Sequence, residues 1–147
     1  MVSKNLPQTS EEQILYANLL EKGMRLGLVL LIVTFAIYML GIIEPAIPLK
    51  EISGYWNISV HDYLEAINHE FLHLSNPPTG WSWIRLLGKS DFLNFIPIAI
   101  LSGVTVLCYL AIIPGLLRKK DKVYAIISLA EVMILGLAAS GLLTAGH

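Results

Sequence analysis

The sequence predicts an all-α integral membrane protein: three transmembrane helices, with an amphipathic helix outside the membrane between the first and second spans. Two observations carry this. The stretches 26–43, 92–117 and 123–145 hold no Lys, Arg or Asp and only one carboxylate, Glu131. A bilayer core about 30 Å thick takes roughly 20 apolar residues of helix to cross, and hydrocarbon gives backbone N–H and C=O groups no partners, so each stretch must be helical throughout. The composition agrees, because 55% hydrophobic against 14% charged residues is too apolar for an ordinary soluble domain of 147 residues. A single membrane domain over 1–147 is expected.

Ser10-Glu11-Glu12-Gln13 matches a capping box, in which the hydroxyl and the Gln side chain satisfy the first free amides of a helix. That helix runs through Leu15, Leu19 and Lys22 into the first span. The acids Glu11, Glu12 and Glu21 are unlike the basic start of a cleaved signal, so the first span reads as retained. Glu44-Pro45 and Pro48 end it, because proline cannot continue the hydrogen-bond ladder. Ser59-Val60-His61-Asp62 is a second cap signature, and a helix from about 60 to 74 follows until Ser75-Asn76-Pro77-Pro78. Val60, Tyr63, Leu64, Ile67, Phe71 and Leu74 recur on it at helical spacing, the pattern of a helix lying on a membrane surface or a neighbouring protein. Thr79-Gly80 opens a short piece closed by Gly88, while Tyr55, Trp56, Tyr63, Trp81 and Trp83 suit a headgroup-level aromatic belt. Ser90-Asp91 caps the second span. Pro97 falls in its first turns and is tolerated, whereas Pro114 should kink or end it. The third span begins directly after Lys120-Asp121, making a tight antiparallel hairpin.

Charge sets an expected orientation. Lys4, Lys22 and Arg25 flank the first span, and Arg118, Lys119, Lys120 and Lys122 fill the turn between the second and third. The 44–91 connection has only Lys50, Arg85 and Lys89 against six acids. The positive-inside rule then puts the N-terminus and the basic turn in the cytoplasm of a bacterial-type inner (plasma) membrane. The 44–91 loop and His147 face outward. A net charge of −1 leaves no footprint for nucleic acid. Cys108 is the sole cysteine, which rules out an internal disulfide or a thiolate metal cluster and reads as a small hydrophobe.

Candidate chemistry lies in two places. His61, Glu65, His69 and His73 follow one another at steps of four, so on an α-helix they line one side. Within the stripe, His69-Glu70-Phe71-Leu72-His73 reads H-E-x-x-H, the spacing that lets two imidazoles grip zinc while the glutamate, Glu70, activates its water. A zinc peptidase needs a third ligand and a substrate cleft besides, so the motif alone leans away from an enzyme. A zinc or haem contact is one reading of the stripe. The polar face of an interfacial helix is the other, and it implies no cofactor.

The second place is Glu131, about nine residues into the third span. A carboxylate at that depth costs roughly 2.5–3.5 kcal/mol on insertion scales and should face protein or water. Ser128 shares its helix face, and Thr105 and Tyr109 (with Ser102) form a polar stripe on the second span. Hydrogen bonds between these faces would clasp the hairpin; the functional alternative is a proton or cation carrier. Gly23 and Gly27 lie four apart, as do Gly136 and Ser140, and Gly141 and Ala145, which is the small-xxx-small pattern of close helix packing within the chain or across an interface.

Gly103, the apolar run to Arg118, then Lys120-Asp121-Lys122-Val123-Tyr124 leading into an Ile/Leu-rich last span, together with Leu20-Glu21-Lys22-Gly23, carry a family likeness. Across about half its length the chain resembles small bacterial and archaeal three-helix membrane proteins of unknown function, often described beside sulfite-exporter-type permeases. The resemblance implies the three-span layout and no activity. It does not extend to the His69–His73 segment. The expected role is that of an accessory or structural subunit, held in the lipid bilayer against larger membrane-complex subunits or in a homo-oligomer. A metal- or haem-binding protein at the outer surface and a minimal transport component using Glu131 are the alternatives.

Overall fold

The computed structural model describes residues 9–142. Lys4, Ala145 and His147, and the last residues of the expected third span, lie outside that range. The fold is all-helical, with no strand among the described residues. Its elements are α1 (Glu11–Leu40), α2 (Val60–Ile67), α3 (Ser90–Leu93), α4 (Phe95–Arg118) and α5 (Lys122–Ala139), with short 3-10 turns at Ile52–Tyr55 and Gly80–Leu86. Three helical stretches are long and apolar enough to cross a membrane: Glu11–Leu40, Ser90–Arg118 and Lys122–Ala139. The fold is thus compatible with a multi-pass membrane protein.

The start of α1 forms as its sequence dictates. Ser10 N–H donates to Gln13 Oε1 at 3.1 Å, and Gln13 N–H donates to Ser10 Oγ at 3.3 Å, the reciprocal bonds of a capping box. Its end comes earlier than the prolines suggest. Gly41 takes φ +66°, its N–H donates to Tyr38 O and Ile42 N–H donates to Ile37 O. This Schellman closure satisfies the last carbonyls at Leu40, so the helix stops short of 43. At the basic turn after α4, Lys120 plays the same part with φ +58°, while Lys120 N–H donates to Leu117 O and Asp121 N–H to Leu116 O. Helix α4 runs through Pro114 to Arg118 and does not end there. Helix α5 stops at Ala139, where Ser140 caps it and Gly141 at φ +75° turns the chain; the expected span had continued to 145.

Two compact units divide the chain. One joins the residues up to Gly27 with those from Ile100 onward. Its buried apolar residues are Val104, Cys108, Leu116 and Ala125, with Ser128 beside them at 5% exposure. The edge-on rings of Tyr16 and Tyr109 lie 5.5 Å apart, and Cys108 Sγ donates weakly to Tyr16 O at 3.7 Å.

The other unit is Leu28–Ala99. Ile47, Ile67, Phe92 and Pro97 make its small core. Trp83 stacks on Phe95, which stacks on Phe92, with centroids 5.7 and 5.8 Å apart. Asp91 ties this unit together. Its carboxylate accepts from Ala46 N–H and Ile47 N–H, each bond 3.1 Å, and from Phe92 N–H. Charge-assisted bonds to backbone amides are the strong kind. Asp91 therefore fastens the 46–47 segment rather than capping a span, as its sequence neighbourhood suggests. Lys89 occupies the N-cap of α3 without a side-chain cap bond.

Candidate functional site

Helix α2 begins as expected: Ser59 Oγ accepts from Asp62 N–H at 3.1 Å. A cap of this kind stabilises a helix by about 1 kcal/mol. Its apolar face is covered by the chain itself, for Ile67 is 2% exposed and Tyr63 and Leu64 line a cavity of about 280 Å³ with Ile47, Trp83 and Phe92. The helix ends sooner than predicted. Asn68–Leu72 winds as a π turn, and His73 leaves it in the left-handed region at φ +51°. The cause is Asn68. Its amide donates to Leu74 O at 3.0 Å and accepts from Leu74 N–H at 2.9 Å, while its carbonyl accepts from His73 N–H at 2.7 Å. An Asn side chain that satisfies backbone groups competes with continued α-helix.

This change of winding alters the histidine stripe. The four-residue step aligns side chains only on α geometry, and the stripe leaves it after Ile67. His61 Nε2 lies 3.1 Å from Glu65 Oε1, with both side chains largely exposed. Glu70 is taken by Tyr55, whose hydroxyl donates to Glu70 Oε2. That bond pushes the Tyr55 phenol up to about 12. Glu65, His69, Glu70 and His73 do border one shallow groove of about 820 Å³. Among the described residues, however, no three His, Cys, Asp or Glu side chains converge so as to hold a metal ion.

Glu131 sits half-buried on α5. Tyr109, expected on the polar stripe facing Glu131, packs edge-on against Tyr16. The glycines divide. A Cβ on Gly23 would lie 2.6 Å from Val104 Cγ2, and one on Gly27 would lie 2.5 Å from Leu101 Cδ2. These two glycines let α1 and α4 approach closely. A Cβ on Gly136 would meet nothing within 4 Å, and neither would one on Gly141, whose role is to end α5. Among the described residues, Gly136 therefore takes no part in close helix packing.

Sequence reasoning missed two features of the first unit. Glu12, only 11% exposed at its side chain, pairs with Lys119 Nζ at 2.9 Å, and Gly115 makes room for it, since a Cβ there would come within 3.0 Å of Glu12 Oε1. The acidic start of α1 gave a signal for a cap and none for a partner more than a hundred residues away. Beside this pair, α1, α4 and α5 enclose a cavity of about 630 Å³.

No protein-family model matches the chain, and no solved structure matches it. A protein of Archaeoglobus fulgidus, described as an uncharacterized protein, is 46% identical over 137 residues, which is 93% of this chain and 92% of the relative. The chain belongs to that protein's family. At this identity and coverage the two share one fold, so the three-helix layout is a family property. Fold alone does not assign a role.

Proposed function

We propose that the chain is a multi-pass protein of the plasma membrane and acts as a small accessory subunit, packed against larger subunits or against its own copies. One observation carries this reading: among the described residues, little of α5 is covered. Only 11% of the most apolar 18-residue stretch of α5 is buried within the chain, and Gly136 faces open space. Glycine and serine four apart are the pattern of a close helix contact, and within the described chain no helix uses it. A neighbouring helix packed over Gly136 and Ser140 would cover this face.

The charge distribution supports an N-terminus and a 118–122 turn on the cytoplasmic side, with the 44–91 connection outside. The test is the mass of the gently solubilised native assembly. A larger co-purifying subunit, or a multiple of the chain mass, is the expected result, and Gly136→Leu should dissociate it. A monomer without any companion, extracted from its own membrane, would refute the proposal.

A further inference from the structure

We propose that the cavity among α1, α4 and α5 binds an organic ammonium ion carrying an apolar body. Its volume, about 630 Å³, falls in the range of small-molecule sites. Three helices each contribute a tyrosine to its lining: Tyr16 and Tyr109, both half-buried, and the more exposed Tyr124. Ile112 and the buried Leu116 line it as well, an apolar surface for the body of a ligand. Tyrosine ring faces attract cations, with quaternary ammonium ions as the best-known case.

The charges select the sign. Lys119, the one cation among the described lining residues, is held by Glu12 at 2.9 Å with Glu11 at 4.0 Å. That leaves the Asp121 carboxylate. Asp121 stands at the N-cap of α5, where an aspartate ordinarily accepts from its own helix amides. Here it makes no side-chain cap bond, and it lines the cavity instead. None of the ion pairs among the described residues includes it. Asp121, Tyr124 and Ser128 share one face of α5 and line the cavity together. An anion would meet the Asp121 carboxylate; a neutral ligand would leave Asp121 unpaired. A cation completes the set. This site belongs to one chain and needs no companion subunit, so it stands apart from the accessory role.

The probe is benzyltrimethylammonium, titrated calorimetrically into the full chain in amine-free detergent, with benzenesulfonate as the anionic counterpart. Saturable binding of the cation alone is expected. Asp121→Asn should weaken it about tenfold, and Tyr109→Leu should do the same, while Tyr109→Phe keeps the ring and stays within about twofold. Equal binding of benzenesulfonate, or unchanged affinity in Asp121→Asn at native helix content, would overturn the proposal. Should Asp121→Asn lose helix content, the wild-type chain decides. Carbodiimide modification of Asp121, mapped by mass spectrometry, should slow in the presence of benzyltrimethylammonium, and an unaltered rate would refute the site. In nanodiscs, competition by phosphatidylethanolamine would assign the ammonium to a lipid headgroup, and its lack would assign a free amine.

Discussion

At Gly23 the nearest neighbour of an added Cβ is the branched side chain of Val104, itself 4% exposed. A β-branched residue has one strongly preferred rotamer in a helix, so it cannot swing aside. Gly23→Ala should therefore destabilise the protein by about 1–3 kcal/mol, the usual cost of overpacking. Gly136→Ala, with open space around it in the single chain, should leave the dissociated chain unchanged or stabilise it by up to about 1 kcal/mol, since glycine is a poor helix former. Thermal unfolding of both variants in the same detergent compares them directly, and equal melting points would contradict the assignment. Tyr55 permits a second test. Its hydrogen bond to Glu70 favours the protonated phenol, raising the folded-state value from 10 to about 12. The sign follows: the contribution is fully present below about pH 10 and is lost as pH rises through about 12. Ultraviolet titration of tyrosinate should find one late-ionising phenol, and Glu70→Gln should bring it back toward the ordinary value. Without that return, the late ionisation would have another source.

Asn68, at the end of α2, decides the geometry of the whole 60–74 element. Its two bonds to Leu74 hold the π turn closed. Asn68→Ala removes both, with an expected loss of about 1 kcal/mol for partly exposed bonds. The Leu74 amide should then exchange with deuterium markedly faster, while protection at Tyr63, on the far turn, stays as it was. Undiminished protection at Leu74 would show that the turn closes without Asn68. Caps at helix starts were legible from sequence because they are local: Ser10 with Gln13, and Ser59 with Asp62, lie three residues apart. Helix ends were less so. Gly41 and Gly141 are as ordinary in sequence as Gly54 or Gly88, and only their left-handed backbone marks them as stops. Asn68 carried no visible signal, since its partner is set by the backbone path six residues on.

For the whole molecule, the expectation is recovery from the membrane fraction, released by detergent and not by salt or alkali. The proposed orientation is checked by cysteine labelling in a Cys108→Ala background. Trp81→Cys should react with a membrane-impermeant maleimide added to intact cells, and Lys120→Cys should react only after permeabilisation. Reversed accessibility would invert the orientation. Composition alone determined the fold class, the three apolar helices and their approximate positions, because the medium acts on each segment separately and an apolar helix in lipid satisfies its own backbone. Long-range geometry decided everything that joins distant residues: Asp91 on the amides of Ala46 and Ile47, Glu12 on Lys119, and Tyr16 beside Tyr109. It also separated the glycines that pack from those that face open space, and it turned the histidine stripe out of register. Side-chain spacing along a chain specifies only what the local winding preserves; contacts between helices depend on where the turns send them.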